Sequence, residues 1–325
     1  MTIRSIIRSV GGSVPGKPVT NHDLVTRGID TSDEWIRERT GIGARHIAPP
    51  EVLTSDLAIA AAQIALLRAG ISADEIDLII LATTTPDLTF PATAVRVQAA
   101  LGCLPGIPAF DIQAVCSGFV YALATADAYL KAGLAHRALV IGAETLTRLL
   151  NWEDRSTCVL FGDGAGAVVL EAWPEEAAGK RGIISAHLHA DGTHIDRLKT
   201  DGGVSTNQKA GFLTMDGKEV YRHAVNKLAE VVEETLQNQN IKSDALDWLV
   251  PHQANARIIE HTAKKLGMPM EKVILTIEKH GNTSAASIPL ALYEGVETGR
   301  IKSGHLCLLE AMGGGFTWGS VLVRM

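Results

Sequence analysis

ISADEIDLII (71–80) and IKSDALDWLV (241–250) are nearly matching segments in distant parts of a chain of 325 residues. Each follows a stretch with helical apolar periodicity, and each runs into a short apolar strand that stops abruptly, at ATTTPD (82–87) or at PHQAN (251–255). Because helix, turn and strand recur in the same order, the two segments indicate an internal repeat.

The repeat continues on the C-terminal side of both segments. AALG (99–102) corresponds to KKLG (264–267), and each is followed by a predicted strand, a helix that opens with small residues, and a further apolar strand. Each half then closes with a glycine turn, GDGAG (162–166) or GGG (313–315), and a last strand. Since a strand rather than a helix follows each glycine turn, tight strand-to-strand turns are predicted, not phosphate-binding loops.

Continuous apolar strands that alternate with helices are typical of mostly parallel sheets covered on both faces. Two such sheets, with helices between and outside them, predict a five-layer α/β/α/β/α fold in two pseudo-duplicated halves. The polar segment WPEEAAGKRG (173–182) predicts the seam, which divides the chain into residues 1–174 and 175–325. Residues 187–216 show little periodicity and predict a long loop beside a site.

The composition narrows the class of protein. Hydrophobic residues make up 46% and charged residues 20%, as in a soluble globular protein, and the net charge of −6 argues against nucleic acid as a partner. The first residues lack the apolar core of a signal peptide, and no apolar run is long enough to cross a membrane. The four cysteines show neither a C-x-x-C pair nor zinc spacing, which predicts a reduced, cytoplasmic protein without a metal site.

Cys116 is the candidate nucleophile. The stretch FDIQAVCSGF (110–119) ends a strand and opens a helix of small residues, so the thiol lies at a helix N-terminus, where the dipole and free N–H groups stabilise a thiolate. Position alone leaves a buried, unreactive cysteine as the alternative. Cys103, Cys158 and Cys307 lack this setting and are predicted to lie in the core.

His252 and Asn282 are the candidate partners of the thiol. His252 follows the apolar strand 246–250, at the carboxyl edge where parallel sheets build their sites, although a histidine bonded to nearby backbone is the alternative. Asn282 is a good N-cap for a helix predicted at 283–298, and capping alone would explain it. In the repeat, however, Asn282 falls opposite Cys116, so a pseudo-twofold axis would bring both to one pocket. His280 competes with His252, but Gly281 predicts a turn that directs it elsewhere.

The segment TSDEWIRERTGI (31–42) predicts a capped helical turn that carries Trp35 and Arg39. Thr31 or Ser32 is the predicted cap, with Glu34 completing a capping box. An aromatic ring beside arginines suits an adenine and phosphates, while a solvated surface helix is the alternative.

Six segments together resemble the β-ketoacyl-acyl-carrier-protein synthase III family, in the family's order and over nearly the whole chain. They are DTSDEWIRERTGI (30–42), FDIQAVCSGF (110–119), FGDGAGAVVLE (161–171), VPHQANARII (250–259), KHGNTSAAS (279–287) and GGGFTWGS (313–320). The resemblance implies the thiolase fold, a homodimer and a Cys–His–Asn triad of Cys116, His252 and Asn282. It also implies an enzyme that condenses a short acyl-CoA, expected to be acetyl-CoA, with malonyl-acyl-carrier protein, without a metal or redox cofactor.

The resemblance assigns further residues by position. Those at the CoA entrance are Thr31, Trp35, Arg39, Arg155 and Asn255. Gly314 would be the second oxyanion donor beside the Cys116 N–H group. Acyl-pocket positions fall on Phe90 and Phe161, and on Met312, where many members carry phenylalanine instead. The carrier protein is expected to dock on the segment Gln253, Ala254, Asn255, Ala256 and Arg257. Arg222, Lys264 and Lys265 are expected to extend this docking surface.

Other activities remain as alternatives at this level. The nearest is a related condensing enzyme of secondary metabolism with the same triad, and a non-catalytic acyl-CoA-binding protein is another. An elongating synthase would need a second catalytic histidine where Asn282 stands. A degradative thiolase would need a second reactive cysteine near EAMGGGFTWG (310–319), which has none.

Overall fold

The computed structural model describes residues 2–325. The strands are β1 (Ile3–Ser13), β2 (Val19–Thr20), β3 (Ala44–Arg45), β4 (Leu78–Ala82), β5 (Ala109–Ile112), β6 (Arg137–Glu144), β7 (Gly164–Pro174), β8 (Gly182–Ala190), β9 (Leu198–Thr200), β10 (Leu213–Met215), β11 (Trp248–Pro251), β12 (Leu306–Gly313) and β13 (Thr317–Arg324). The α-helices are α1 (Asn21–Thr26), α2 (Asp33–Thr40), α3 (Thr54–Ala69), α4 (Thr93–Leu101), α5 (Gly118–Lys131), α6 (Arg155–Cys158), α7 (Glu175–Ala178), α8 (Gly217–Asn238), α9 (Ala256–Lys265), α10 (Ile277–His280) and α11 (Ser287–Glu297).

The longer strands form two mixed sheets. The first has the order β1-β7-β6-β4-β5 and the second the order β11-β12-β13-β8. β6, β4 and β5 run parallel, as do β11 and β12, whereas β7 is antiparallel to both of its neighbours and so is β13. The prediction of mostly parallel sheets is therefore wrong, because the last strand of each half returns beside the strand before it.

Helices fill the space between the sheets and cover both outer faces. α5 and α11 lie in the centre, where Phe119 and Ile288 share one buried cluster with strands of both sheets. α3 and α4 cover the first sheet from outside, and α8 and α9 cover the second. Gly166 in β7 permits the close approach of α11, because a Cβ there would lie 2.6 Å from the Cβ of Pro289. The five-layer α/β/α/β/α prediction is confirmed.

The two halves repeat the same order of elements. β8, β13, β12 and β11 in the second sheet take the places of β1, β7, β6 and β4 in the first. The strand predicted after KKLG (264–267) is an exception, since Leu249 and Val273 form only an isolated bridge at the place of β5. At the predicted seam, α7 joins β7 to β8. The division into residues 1–174 and 175–325 stays a prediction.

The two glycine segments differ. GGG (313–315) forms the predicted turn, with Gly313 pairing with Thr317 where β12 meets β13. GDGAG (162–166) is not a strand-to-strand turn, because α6 precedes it and its last three residues already belong to β7. In a strand packed against α11, its glycines serve close packing rather than chain reversal.

The region 187–216 has more regular structure than the long loop predicted for it. It contains the end of β8, a 3-10 turn at Gly192–Arg197 and the short antiparallel pair of β9 and β10. A polar loop, 201–212, connects these two strands.

Two 3-10 turns at matching positions of the repeat, Val115–Ser117 and Ser284–Ala286, precede the central helices. Val115 has φ 48° and Ser284 has φ 50°, a strained left-handed conformation for residues other than glycine. The shared conformation pairs Cys116 with Ala285 in the repeat. The predicted pairing of Cys116 with Asn282 is therefore wrong by three residues. A helix was predicted from residue 283, but the bridge at Asn282 and the three-residue 3-10 turn Ser284–Ala286 precede α11.

Over the described residues 2–325, no helix is both long and apolar enough to span a lipid bilayer.

Candidate active site

Cys116, His252 and Asn282 line one cavity of ≈ 170 Å³. Each comes from a different part of the fold: Cys116 from the turn before α5, His252 from the residue after β11, and Asn282 from the bridge with Phe161. The remaining wall is mainly apolar and includes side chains of α8 and of the β9–β10 pair. The structure therefore brings together the three residues chosen from the sequence.

Cys116 lies between the strained residue Val115 and the start of α5. The backbone opposite it belongs to Gly313, where a Cβ would lie 2.7 Å from the Cys116 nitrogen, so only glycine fits there without displacement. Burial raises the pKa of the Cys116 thiol to about 12, a hydrogen bond with Ser284 lowers it, and the charge of Glu144 raises it further. The thiol is thus protonated at neutral pH and must lose its proton before it can attack.

His252 is buried and neutral. Burial lowers its pKa to about 3, so the imidazole carries no charge in the physiological range. Its Nδ1 lies 2.5 Å from Ser287 Oγ, which also accepts from the backbone nitrogen of Gln253 at 3.3 Å. The serine hydroxyl hydrogen is then directed at Nδ1, which leaves the ring proton on Nε2.

Asn282 supplies a second neutral donor. Its Oδ1 accepts from the Ser284 backbone nitrogen at 2.9 Å, which leaves Nδ2 as the free donor of this cavity-lining side chain. Asn282 therefore caps the 3-10 turn rather than a helix. His280 does not line this cavity and packs against His46, with ring centroids 5.6 Å apart, as the turn at Gly281 predicted.

Gly314, the predicted oxyanion donor, follows Gly313 in the turn between β12 and β13. Gly313 lines the cavity, whereas the space around the Gly314 Cα is closed by Leu198, whose carbonyl oxygen would lie 2.7 Å from a Cβ. The role of the Gly314 N–H group stays a prediction.

The predicted CoA residues gather at one side of the cavity. The Trp35 ring is held between the guanidinium groups of Arg39 and Arg155, at 4.7 Å and 4.9 Å from its centroid. Asn255 lines the cavity and donates from Nδ2 to the Arg39 carbonyl oxygen at 3.1 Å. Asn255 therefore connects the wall of the cavity to the cationic group around Trp35.

The cap of α2 differs in detail from the prediction. Ser32 is the N-cap and accepts from the Trp35 nitrogen at 3.0 Å. Trp35 rather than Glu34 occupies the third helical position, so no capping box forms at this helix. Thr31 precedes the cap, and its Oγ1 is buried without a hydrogen-bond partner in the described structure.

Two of the three predicted acyl-pocket residues line the cavity, namely Phe161 and Met312. Phe90 does not: its side chain is 82% exposed on the single chain, and its place in an acyl pocket stays a prediction. Phe90 lies in the segment between β4 and α4, on the molecular surface. The sequence around Phe90 shows no local pattern that would assign its side chain to a pocket.

The predicted docking residues divide into buried and exposed groups. Gln253 is 1% exposed and bonds to the backbone of Pro251, Ile274, Thr276 and Ile277, so its side chain cannot meet a partner and this assignment is wrong. Ala254 and Asn255 line the cavity, and Ala256 begins α9. The exposed members are Arg222, Arg257, Lys264 and Lys265.

The exposed docking residues lie on two helices that pack together. Lys265 Nζ donates to Asn226 Oδ1 at 3.3 Å, and Tyr221 of α8 bonds to His261 of α9 at 2.9 Å. Tyr221 also lines the cavity of Cys116, and it shares a surface depression with Arg257. The basic face of α9 thus adjoins the mouth of the cavity.

Sequence reasoning missed Ser284, Ser287 and Glu144. The two serines stand inside KHGNTSAAS (279–287), but neither spacing nor residue type marks a hydroxyl in a run of small residues as a partner of the triad. Glu144 ends RALVIGAE (137–144), and an acidic residue at the end of a buried strand was the available signal. Among the residues described, no group of three or more His, Cys, Asp or Glu side chains is arranged to hold a metal ion.

Comparisons with known proteins agree with this arrangement. Two family models match, the 3-oxoacyl-[acyl-carrier-protein (ACP)] synthase III model at residues 110–192 and its C-terminal counterpart at residues 236–325. A β-ketoacyl-[acyl-carrier-protein] synthase III from Rhodospirillum rubrum is 62% identical over 99% of both chains.

Solved structures give the same result. The chain superposes on 3-oxoacyl-[acyl-carrier-protein] synthase III from Aquifex aeolicus with a TM-score of 0.92, at 48% identity over 99% of this chain and 100% of that one. The priming β-ketosynthase from the R1128 polyketide biosynthetic pathway gives a TM-score of 0.92 at 34% identity, over 99% and 96% of the two chains. The thiol, the imidazole and the amide share one cavity, and relatives of this similarity match the chain over its full length. The chain therefore belongs to the β-ketoacyl-acyl-carrier-protein synthase III family.

Proposed function

We propose that the enzyme joins a short acyl-CoA, acetyl-CoA first, to malonyl-acyl-carrier protein by decarboxylative Claisen condensation. The products are 3-ketoacyl-acyl-carrier protein, CoA and CO2, and the reaction initiates fatty-acid synthesis. The observation that carries the proposal is the cavity in which Cys116 faces the neutral donors His252 and Asn282. A thiol beside two neutral donors suits thioester chemistry and carbanion stabilisation, and neither needs a metal or redox cofactor.

The first half-reaction transfers the acyl group to the enzyme. The Cys116 sulfur attacks the thioester carbon, and the developing oxyanion accepts from the N–H groups of Cys116 and Gly314. The C–S bond to CoA then breaks, the proton lost by the Cys116 thiol ends on the CoA sulfur, and an acyl-cysteine remains. Trp35 with its flanking Arg39 and Arg155 would hold the adenine and phosphates of CoA, since stacked rings and cations match both groups.

The second half-reaction uses the other two triad members. The thioester oxygen of malonyl-carrier protein accepts from His252 Nε2 and Asn282 Nδ2, so loss of CO2 leaves a stabilised enolate. Its carbon attacks the acyl-cysteine and releases the product from Cys116. A neutral imidazole suits this step, because it stabilises the enolate oxygen without supplying an acidic proton to the nucleophilic carbon.

We further propose a homodimer in which each Phe90 completes the acyl pocket of the partner subunit. Phe90 is largely exposed on one chain, together with Leu88, at 82% and 57%. Exposed neighbouring apolar side chains favour a protein contact. Phe161 and Met312 would form the rest of the pocket. The buried free thiols of all four cysteines are compatible with a reducing, cytoplasmic location, which we also propose.

A related condensing enzyme of secondary metabolism is the second candidate. The similarity to the R1128 priming β-ketosynthase favours this candidate. That similarity is weaker, however, at 34% identity against 62% identity for the Rhodospirillum rubrum relative. The range of acyl-CoA substrates distinguishes the two, because a priming enzyme for another pathway would prefer a donor other than acetyl-CoA.

Labelling with radioactive acetyl-CoA tests the proposal. The wild type should acquire one acetyl group on Cys116, and Cys116→Ala should acquire none while it keeps its fold by circular dichroism. Because His252 and Asn282 remain, the variant should still release CO2 from malonyl-carrier protein. An acetyl group found by mass spectrometry on Cys103, Cys158 or Cys307, or no covalent adduct on the wild type, would overturn the assignment and favour a binding protein.

A further inference from the structure

Arg45, at the end of β3, has a fully buried side chain that plays no part in the proposed mechanism. Its Nη1 donates to Asn21 Oδ1 at 2.8 Å and to the Val19 carbonyl oxygen at 3.3 Å, and its Nη2 donates to the Val159 carbonyl oxygen at 2.7 Å. Burial lowers the pKa of Arg45 to about 10, so the guanidinium group is still charged at neutral pH. A buried charge that is held by neutral oxygens is costly, which makes the groups that it holds in place of interest.

Segment 159–162 connects Arg45 with Asn282. At one end, the Val159 carbonyl oxygen accepts from the guanidinium group. The next carbonyl oxygen, that of Leu160, accepts from the Asn282 nitrogen at 2.9 Å. Two successive carbonyl groups are therefore occupied, one by the buried cation and one by the backbone of a triad residue. The position of this segment thus sets the position of Asn282.

The same segment belongs to the wall of the active-site cavity. The Gly162 nitrogen donates to the Asn282 carbonyl oxygen at 3.0 Å, which completes a parallel bridge between Phe161 and Asn282. Both members of this bridge line the cavity of Cys116. A displacement of segment 159–162 would therefore displace the Asn282 amide within the cavity.

Two glycines allow Arg45 to pack directly against the bridge. A Cβ on Gly162 would lie 3.0 Å from the Cβ of Arg45. A Cβ on Gly281, which has φ 63° and precedes Asn282, would lie 3.4 Å from the Cβ of Arg45 and 2.9 Å from the Leu160 carbonyl oxygen. Arg45 thus contacts the backbone on both sides of the bridge as well as bonding to Val159.

Arg45 is itself held from the opposite side. Val19 and Arg45 pair in the ladder of β2 and β3, and the Asn21 amide presents its oxygen to the guanidinium group. The Nδ2 of the same amide donates to the Ile42 carbonyl oxygen at 2.7 Å and to Asp33 Oδ1 at 2.8 Å. Because Asn21 is fully buried and bonded at both ends of its amide, Arg45 reaches segment 159–162 from a fixed position.

We propose that Arg45 is a positioning residue for Asn282. Its guanidinium group holds segment 159–162 so that the Asn282 amide is directed at the thioester oxygen of malonyl-carrier protein. The step that depends on this contact is decarboxylation, in which Asn282 Nδ2 donates to the developing enolate oxygen, whereas acylation of Cys116 does not use that donor. The inference rests on the proposed condensation and adds to it a residue that acts through a triad member.

Arg45→Lys tests the proposal, because lysine keeps the positive charge but replaces the forked pair of nitrogens by a single one. Acetylation of Cys116 should stay near the wild-type rate. The kcat for CO2 release from malonyl-carrier protein should fall by roughly 10-fold with little change in KM, since a misplacement of about 1 Å can cost up to roughly 100-fold. Wild-type CO2 release by this variant would overturn the proposal.

The same substitution in an Asn282→Ala background separates positioning from a general structural role. If Arg45 acts through Asn282, Arg45→Lys should cause no further loss of CO2 release there, because the amide that it positions is absent. A similar loss with and without Asn282 would show that Arg45 only supports the fold, and the positioning role would be wrong.

Arg300→Lys is the matched control. Arg300 Nη2 also donates to two backbone carbonyl oxygens, those of Glu271 at 3.0 Å and Val273 at 3.1 Å, and neither residue lines the cavity of Cys116. Its replacement should leave CO2 release unchanged.

A second variant and a direct structural comparison complete the test. Asn21→Ala removes one bond of the guanidinium group and leaves the bond to Val159, so it serves if Arg45→Lys does not fold. Its smaller loss of CO2 release should likewise vanish in the Asn282→Ala background. Crystal structures of the wild type and Arg45→Lys should show a displaced Asn282 amide, and an unmoved amide would contradict the proposal. A wild type that releases no CO2 would overturn the proposed function, while these structures would still decide the role of Arg45.

Discussion

The residue scale shows that burial alone does not make a cysteine reactive. Cys307 and Cys116 are both buried, and burial raises both pKa values to about 12. Cys116 differs in its surroundings, because it lines a cavity and follows a residue with strained backbone. In the proposed mechanism, the reactivity of Cys116 therefore depends on what faces the sulfur rather than on its degree of exposure.

His252→Ala and Asn282→Ala should separate the two half-reactions. Each removes a donor to the enolate oxygen, so each variant should still be acetylated on Cys116 but lose decarboxylation of malonyl-carrier protein. The expected loss is about 3 kcal/mol, or roughly a hundredfold in rate, per donor. The measurement pairs acetyl-CoA labelling with CO2 release. His280→Ala is the control, since His280 does not line the cavity.

The pH dependence of CO2 release gives a second test of the role of His252. Because the His252 pKa is lowered to about 3, its neutral form persists on both sides of the ordinary histidine pKa. CO2 release should thus show no histidine-like step between about pH 5 and 8. A step near 6.5, or near-normal CO2 release by both alanine variants, would contradict the enolate-stabilising role.

At the element scale, the two faces of α9 support the proposal that this helix docks the carrier protein. Ile258, Ile259 and Ala263 face inward and are buried, while Arg257 and Lys264 point outward. On a helix, positions seven apart lie within about 20° of each other, so the two cations share one face. Because α9 begins next to the cavity-lining Asn255, a pantetheine arm would enter beside the proposed docking surface of its carrier protein.

Reversal of Arg257 and Lys264 to Glu should raise the KM for malonyl-carrier protein. The loss in kcat/KM should be about 1–3 kcal/mol, because exposed charges are individually weak but repel once reversed. Acylation by acetyl-CoA should change much less, since that half-reaction does not use the carrier protein. Steady-state kinetics at several salt concentrations measure both effects.

Lys180→Glu with Lys302→Glu provides the matched control, because it makes the same change in net charge at exposed residues that do not line the cavity. Added salt should slow the carrier-dependent step of the wild type more than that of the reversed variant. Equal losses in both half-reactions would instead indicate a damaged fold or tunnel.

At the scale of the whole molecule, two similar halves meet across α5 and α11 and place the site between them. The central layer buries Phe119 and Ile288 among strands of both sheets, so neither half can present its part of the site alone. Phe90 is the residue that this arrangement leaves unexplained, since it is 82% exposed and far from core packing. In the proposed homodimer, a second subunit would give Phe90 a role.

A mixed dimer of Cys116→Ala and Phe90→Ala chains tests whether Phe90 acts across the interface. In that dimer the reactive Cys116 belongs to the Phe90→Ala chain, and the intact Phe90 comes from its partner. The acyl-CoA preference should therefore match the wild type, while the Phe90→Ala homodimer should accept longer chains because the pocket has lost its end wall. Differently tagged chains, purified together and assayed with acyl-CoA of increasing length, provide the measurement.

Leu134→Ala serves as control, because Leu134 is also highly exposed, at 68%, and lies after α5. A mixed dimer with the preference of the Phe90→Ala homodimer would place Phe90 in the pocket of its own chain. A monomer by light scattering at assay concentration would exclude the exchange altogether.

The sequence by itself determined the layers, the order of elements and the three triad candidates. Apolar periodicity, strand ends and turn residues are local properties of the sequence. Because they recur in both halves, the elements of one half could be predicted from those of the other. For the same reason the motifs around Cys116, His252 and Asn282 could be recognised from their neighbours in the chain, as could the turn that directs His280 away.

Tertiary structure alone decided the features that depend on contacts between distant residues. Strand direction in the sheets, the burial of Gln253 under the backbone of residues 274–277, and the exposure of Phe90 all follow from packing partners that periodicity does not specify. The hydrogen bond from Ser284 to Glu144 is of the same kind. It joins two segments that are far apart in the chain, and it exists because the turn Ser284–Ala286 and the end of β6 meet at the centre of the fold.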